Sequence, residues 1–129
     1  MGNKEKGAAA ERELLHMLWQ KGFACVRVAG SGSTTELACD LIAGKKEKKF
    51  AIECKTCKES KRYLNPEQIK DLLKFSEILG LTPIVAIKFN HKGWWFIEPE
   101  KLENTGKVLA MSVEEIAKKG ISFEDFVSK

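Results

Sequence analysis

The spacing of apolar residues changes along the chain between helical and strand periodicity, and this pattern outlines the secondary structure. Residues 8–21 carry apolar side chains at helical spacing and end at Gly22, which predicts a first helix. Strand-like runs follow at 23–28, 39–43 and 50–55, and a short polar turn joins the last two. The first half of the chain is therefore expected to form one helix and three strands.

The second half has clear helix start and stop signals. Asn65 followed by Pro66 predicts a helix N-terminus, with Gln68 able to close the cap, and Gly80 marks the helix end. The buried face of this helix is expected to consist of Ile69, Leu72, Leu73, Ser76 and Leu79. Three further strands are expected at 84–89, 94–97 and 107–111. A last helix should begin after Ser112, whose hydroxyl can cap it.

The order of these elements, α-β-β-β-α-β-β-β-α, predicts an α/β fold with a mixed central β-sheet flanked by helices. The chain has 129 residues and a mass of 14.5 kDa, without repeats or an interdomain linker, which is typical of a single domain. Residues 1–6 are expected to form a flexible basic arm. The 94–97 strand is apolar on both faces, so it is either buried on both sides or covers a partner subunit.

Composition narrows the class of protein. Apolar residues make up 43% and charged residues 31% of the chain, which is typical of a folded domain. No apolar run is long enough to span a bilayer, and the first residues lack the apolar core of a secretory signal. Without an export signal, the four cysteines are expected to be free thiols. We therefore expect a cytoplasmic protein that has no membrane partner.

Positive charge is concentrated in one stretch of the chain. The net charge is only +4, but residues 45–62 contain eight basic residues against three acidic ones. The rest of the chain contains 14 basic and 15 acidic residues. Concentrated basic charge favours a polyanionic partner, because contacts with phosphates release condensed counterions. A solvated lysine-rich turn explains the same composition equally well.

Acidic residues and a lysine occupy positions that usually hold apolar side chains. Because side chains alternate between the faces of a strand, Glu53 and Lys55 are neighbours on one face near a strand end. Asp40 lies beside the apolar run of the preceding strand, and the tight turn between the strands can bring it close to Glu53. Two like charges in contact repel each other unless a cation lies between them.

Glu11 supplies a third carboxylate, on the inward face of the first helix. Three carboxylates suit a hard divalent ion such as Mg²⁺, with Mn²⁺ as a substitute, and such an ion can activate water for phosphate cleavage. Lys55 could orient that water or stabilise charge on the phosphate. Singly, each residue has a simpler explanation: an exposed strand pair for Glu53 and Lys55, a favourable first-turn acid for Glu11, and a turn cap for Asp40. Their joint arrangement favours the catalytic interpretation.

Several short motifs in this order resemble the archaeal Holliday junction resolvases. They are Lys6 to Leu14 (KGAAAEREL), Gly22-Phe23, Ala29-Gly30-Ser31, Asp40-Leu41, Ile52-Glu53-Cys54-Lys55, Ala86-Ile87-Lys88-Phe89 and Gly93 to Glu98 (GWWFIE). The D…E-x-K core alone is shared with the wider restriction-endonuclease-like nuclease superfamily. The opening motif and the GWWFIE hairpin are more specific in combination.

This resemblance implies a homodimeric, Mg²⁺-dependent endonuclease that cuts opposed strands of a four-way DNA junction at symmetric positions. Its fold would be a restriction-endonuclease-like core. The protein would be nucleoid-associated and would have no small-molecule substrate. Asp40 and Glu53 would be metal ligands, with Glu11 completing the acidic set. Lys55 would be the catalytic lysine and Arg12 would contact a phosphate near the cut. The remaining candidates are the functional serine of the family, at Ser31 or Ser33, and Gln68, for which a capping role is an equal alternative.

A set of basic and polar residues is expected to contact DNA. It consists of Lys6, Arg12, Arg27, Ser31, Lys45, Lys46, Lys58, Lys61 and Arg62. The polar stretch 56–64 would be either a flexible DNA-contacting loop or an ordinary connector. Two other functions stay open: a nuclease of the same superfamily that acts on linear, flapped or damaged DNA, and a non-catalytic DNA-binding module. Retention of Asp40, Glu53 and Lys55 disfavours the binding module.

Overall fold

Two β-sheets and four helices make up the described part of the chain, which covers residues 3–28, 36–58, 61–104 and 109–128 of a computed structural model. The helices are α1 (Asn3–Gln20), α2 (Pro66–Leu79), α3 (Val113–Lys119) and α4 (Phe123–Ser128), with a 3₁₀ turn at Pro99–Lys101. The strands are β1 (Ala24–Arg27), β2 (Leu41–Lys45), β3 (Lys48–Cys57), β4 (Lys61–Leu64), β5 (Thr82–Phe89), β6 (Gly93–Ile97), β7 (Glu103–Asn104), β8 (Leu109–Ser112) and β9 (Ile121–Ser122).

The main sheet has six strands in the order β1-β2-β3-β5-β6-β9. Its central pair, β3 and β5, is parallel, and the other neighbours are antiparallel. A small antiparallel sheet of order β4-β8-β7 lies beside it. The predicted mixed sheet flanked by helices is therefore confirmed. Among the described residues, no helix combines the length and apolar character needed to cross a membrane.

Each face of the main sheet is covered by a separate apolar core. Helices α1 and α4 cover one face, where the Phe96 ring stacks on Phe126 with centroids 4.1 Å apart. Helices α2 and α3 cover the other face, where Leu72 and Ile116 are fully buried. Strand β6 contributes to both cores, with Trp94 and Phe96 in the first and Ile97 in the second. Burial within the chain, rather than cover by a partner subunit, therefore explains its apolar faces.

The structure corrects three local predictions. Helix α1 begins at Asn3, so residues 3–6 are helical and the predicted flexible arm is wrong for them. Strand β3 continues to Cys57, because β5 runs parallel to it and pairs Cys57 with Phe89. The stretch 56–64 is therefore largely β-structure, ending in β4, instead of the predicted loop.

The buried face of α2 is narrower than predicted. Ile69, Leu72 and Ser76 are buried, whereas Leu73 and Leu79 are 41% and 55% exposed. The sheet contacts the side of α2 centred on Leu72 and Ser76, so Leu73 and Leu79 lie on the two flanks of the helix. Both predicted N-caps are confirmed, with the Asn65 side chain accepting from the Glu67 N–H and the Ser112 hydroxyl from the Glu115 N–H.

Gly120 is required by a close approach between α3 and β6. A Cβ at this position would lie 2.7 Å from the Phe96 carbonyl oxygen and 2.9 Å from that of Ile116. Because neither backbone oxygen can move freely, we expect Gly120→Ala to lower the free energy of unfolding by about 1–3 kcal/mol. Urea denaturation would measure it.

Gly7→Ala is the matched control, since a Cβ there meets nothing within 4 Å and lies on a helix. It should raise the free energy of unfolding by up to about 1 kcal/mol. A Gly120→Ala protein as stable as the wild type would contradict the close approach.

Candidate active site

Asp40 and Glu53 are brought together by the pairing of β2 with β3. The Asp40 N–H donates to the Ile52 carbonyl, and the Asp40 Oδ2 accepts from the Cys54 N–H at 2.8 Å. The Asp40 carboxylate is therefore fixed to the strand that carries Glu53. Both residues are only 9% exposed. The predicted pair of neighbouring carboxylates is present at this end of the sheet.

Ionisation of both carboxyl groups of this pair is unfavourable. Burial, and then the negative charge of Asp40, raise the pKa of Glu53 from 4.5 to about 7. Lys55 acts in the opposite direction, with its Nζ 3.4 Å from the Glu53 Oε2. Lys55, whose side chain is 13% exposed, thus offsets part of the effect of burial and of Asp40 on Glu53.

Lys55 is also held by α2. Its Nζ donates to the Gln68 Oε1 at 3.0 Å, so the ammonium group lies between Glu53 and the first turn of α2. Of the two alternatives for Gln68, a helix cap or a residue of the site, this contact supports the second, because its side-chain oxygen accepts from Lys55. Gln68 therefore belongs to the same cluster as Glu53 and Lys55.

Glu11 reaches the cluster from α1. Its Oε1 accepts from the Arg27 Nε at 2.8 Å. The pKa of Glu11 is raised, and burial is the largest cause of this shift. The charge of Asp40 raises it further, while Arg27 and Arg12 act in the opposite direction. Arg27, expected to contact DNA, is therefore paired with a carboxylate of the site. The neighbouring Arg12 is exposed to solvent.

The three acids influence one another's charge but do not converge on a single point. Glu53 responds to both Asp40 and Glu11, and Glu11 responds to Asp40. In the part of the chain that is described, no three carboxylate, imidazole or thiol groups lie close enough together to hold a metal ion. The donor chemistry nevertheless suits a hard divalent cation, because Asp40 and Glu53 offer buried oxygen ligands with excess negative charge.

The predicted DNA-contacting lysines fall at two ends of the sheet. Lys58 is exposed directly after β3, at the end that carries Glu53 and Lys55. Lys45 and Lys46 lie at the β2–β3 turn, where the Lys45 Nζ is 5.7 Å from the centre of the Phe23 ring. Lys45 follows Asp40 by five residue steps of extended chain, which is a span of roughly 17 Å.

The remaining predicted site residues cannot be placed in the cluster. Ser31 and Ser33 lie outside the described residues. Lys6 is in α1, and Lys61 and Arg62 are in β4, but their side chains also lie outside what is described.

Sequence reasoning missed one polar cluster next to the site. Glu13, two residues after Glu11, accepts from the Lys88 Nζ at 2.7 Å and from the Trp94 Nε1 at 2.9 Å. The hydrogen bond to Lys88 is the largest effect on Glu13 and lowers its pKa. The partners are 75 and 81 residues away along the chain, so no local spacing could reveal them. The only sequence signal was a lysine at the end of an otherwise apolar strand.

Comparisons with known proteins identify the same family as the sequence motifs. The family model of the archaeal Holliday junction resolvases (Hjc) matches residues 2–129. A Methanocaldococcus jannaschii protein named crossover junction endodeoxyribonuclease Hjc is 46% identical over 102 residues, which cover 79% of this chain and 72% of that protein. The Archaeoglobus fulgidus protein of the same name is 40% identical over 104 residues, which cover 81% of this chain and 76% of that protein.

A solved structure shows the same fold. The structure of Archaeoglobus fulgidus Hjc, described as a Holliday junction resolvase from an archaeal hyperthermophile, matches with a TM-score of 0.87 and 32% sequence identity. The match covers 94% of this chain and 99% of that chain. The resemblance read from the sequence motifs is thereby confirmed. The chain belongs to the family of archaeal Holliday junction resolvases.

Proposed function

We propose that this member of the resolvase family hydrolyses phosphodiester bonds of four-way DNA junctions at a divalent-metal site built on Asp40 and Glu53. It would act as a homodimer that makes paired symmetric cuts. The observation that carries the proposal is the buried pair of carboxylates, whose mutual repulsion is only partly compensated by Lys55.

A divalent cation would complete the charge balance of the site. Asp40 and Glu53 would hold Mg²⁺, or Mn²⁺ in its place, with Glu11 as the third acidic residue. When bound, such an ion lowers the pKa of a coordinated water and stabilises negative charge on the phosphate. The raised pKa of Glu53 supports this assignment, because a nearby cation favours the ionised form that burial disfavours.

Lys55 is suited to act on the water or on the phosphate. Its Nζ is held by Glu53 and Gln68, so the ammonium group has a fixed position beside the carboxylates. A cation in a buried position stabilises developing negative charge more strongly than one in solvent. Gln68 acts through Lys55 and is therefore a positioning residue in this scheme.

Exposed basic residues near the site would bind the DNA backbone. Arg12 follows Glu11 on α1 and Lys58 follows β3, and both are exposed. They would contact phosphates close to the cut, whereas Lys45 and Lys46 at the far turn would contact an arm of the junction. Of the remaining predicted contacts, Arg27 would act indirectly, through Glu11.

A dimer follows from the symmetry of the substrate. A four-way junction has two scissile phosphates related by approximate two-fold symmetry, and one chain offers one catalytic cluster.

One flank of α2 carries Phe75, Ile78 and Leu79, and the last two are 69% and 55% exposed. We assign this flank to the contact with a second copy, since exposed apolar side chains on one helix flank are typical of an interface. Antiparallel packing of two such helices, each about 21 Å long, would separate the catalytic clusters by a distance of that order.

Removal of a central carboxylate tests the chemistry. We expect Asp40→Asn to reduce junction cleavage in Mg²⁺ at least about 100-fold, because the variant loses a charge needed for the metal. Cleavage of a labelled four-way junction, a linear duplex and a splayed arm would be compared in Mg²⁺ and in EDTA. Asp125→Asn, at an exposed position of α4, is the matched control.

Cuts confined to the junction, lost in EDTA and in Asp40→Asn, are the expected result. Cleavage of all three substrates would instead favour a less selective nuclease of the same superfamily. Junction binding without cleavage in Mg²⁺ or Mn²⁺ would favour a DNA-binding module, and full activity in EDTA would contradict the metal.

The pKa of Glu53 predicts the pH dependence of stability without metal. Between 4.5 and about 7, the folded chain keeps a proton on Glu53 that the unfolded chain has lost. Stability therefore falls as the pH rises through this window. We expect Glu53→Gln, which keeps the shape of the protonated acid, to have the same free energy of unfolding as the wild type near pH 4.5. Above about pH 7 the variant should be more stable than the wild type by up to about 3 kcal/mol.

Urea unfolding in EDTA across this pH range would measure the difference. Glu67→Gln, at a position whose side chain is 73% exposed, should follow the wild-type curve. Mg²⁺ added to the wild type at the high-pH end should restore stability, because a ligand of the folded state stabilises it. Parallel curves for Glu53→Gln and wild type would contradict the buried charge.

A charge on the flank of α2 tests the dimer. We expect Leu79→Glu to shift the protein from dimer to monomer, because a carboxylate would be buried in an apolar contact. Sedimentation equilibrium would measure the shift. Leu73→Glu, the same substitution on the opposite flank, should remain dimeric. Equal dissociation by both variants, or by neither, would contradict the assigned surface.

A further inference from the structure

We propose that Glu13 is a positioning residue for the nuclease, which fixes the rotation of α1 about its own axis so that Glu11 faces Asp40 and Glu53. Its partners in this role are Lys88 and Trp94. The inference rests on the proposed role of Glu11 in the catalytic cluster.

Both carboxylate oxygens of Glu13 are used by the main sheet. Oε2 accepts from the Lys88 Nζ at 2.7 Å and Oε1 accepts from the Trp94 Nε1 at 2.9 Å. Lys88 and Trp94 are directly opposite each other in the pairing of β5 with β6. The carboxylate therefore binds two adjacent strands at one point, and this two-point contact restricts its movement along either strand.

Glu11 and Glu13 bind the main sheet from opposite sides of α1. Each residue turns an α-helix by roughly 100°, so the two side chains lie about 80° to either side of the buried stripe formed by Ala10 and Leu14. Glu11 contacts Arg27 on β1, and Glu13 contacts β5 and β6. Since β2 and β3 lie between these strands, the helix spans the part of the sheet that carries the catalytic residues.

The contact adds to the Glu11–Arg27 ion pair in fixing the rotation of α1. Glu11 accepts from the Arg27 Nε at 2.8 Å, which holds its carboxylate at β1 on one side of the helix. A contact on one side of a helix does not by itself prevent a roll about the helix axis, whereas contacts on both sides do. A roll of about 20° would displace a side-chain group at the helix surface by roughly 2 Å. Glu13 opposes that roll, because the same movement would pull its carboxylate away from Lys88 and Trp94.

A simpler alternative gives Lys88 a different role. Lys88 would contact a DNA phosphate directly, and Glu13 would only neutralise it in the free protein. The two interpretations differ in their effect on binding. In the alternative, Glu13→Gln frees a cation and tightens junction binding, whereas loss of the lysine weakens it. If Glu13 positions Glu11, neither substitution changes binding much, and both slow the cut.

The experiment measures binding and cleavage separately. Junction binding would be measured in EDTA, and single-turnover cleavage at saturating protein in Mg²⁺, for Glu13→Gln, Lys88→Met and the double variant. We expect each single variant to slow cleavage on the order of 10- to 100-fold, the loss typical of a displaced catalytic group, with binding within about twofold of wild type. The double variant should be no slower than the slower single variant, because both remove the same contact.

Two further variants make the result specific. Glu124→Gln removes the ion pair between α4 and Lys21, which follows α1 at the opposite end from the site. It is the matched control and should cleave like the wild type. Trp94→Phe keeps an aromatic ring, although a smaller one, and loses the N–H donor while Lys88 still binds Glu13, so a smaller loss of cleavage is expected.

The outcomes separate the positioning role from the proposed site. Tighter binding by Glu13→Gln, or a lower melting temperature with an unchanged cleavage rate, would overturn the positioning role. Glu11→Gln is measured in parallel. If it cleaves like wild type, the proposed role of Glu11 is wrong and the inference falls with it. If Glu11→Gln is slow and Glu13→Gln is not, only the positioning role is overturned.

Discussion

Burial of two carboxylates side by side is the constraint on which the rest of this site depends. An ionised acid in a protein interior is unfavourable unless it is paired, and a second acid beside it increases the cost. The surroundings compensate in two ways: a backbone N–H donates to Asp40, and the ammonium group of Lys55 pairs with Glu53. These contacts leave an excess of negative charge, which is what a divalent cation needs.

Much of this arrangement could be predicted because it depends on local rules. Alternation along a strand places Glu53 and Lys55 on the same face, and a tight turn between paired strands fixes which residues lie opposite each other. The N-caps at Asn65 and Ser112 follow from the geometry of helix ends for the same reason. The mixed sheet was likewise predictable, since its strands and helices each have a distinct apolar period.

The contacts that could not be predicted are those between distant parts of the chain. The sequence left Gln68 open between a helix cap and a site residue, and only the fold shows its partner, Lys55, on a neighbouring strand. Arg27 was expected to face DNA, but the packing of α1 on β1 pairs it with Glu11. Adjacency in sequence also failed as a guide to the basic surface. Lys45 and Lys58 belong to one lysine-rich stretch, yet β3 extends between them and separates them along the sheet.

The long separation between α1 and its anchors has a consequence for protein synthesis. Glu13 is synthesised 75 residues before Lys88 and 81 residues before Trp94. The parallel pairing of β3 with β5 likewise requires the chain to extend through Phe89. A growing chain, or one broken off before β6, thus holds every acidic residue of the cluster without the framework that orients them. The contacts that orient the acidic cluster thus form only after the chain has been made as far as β6.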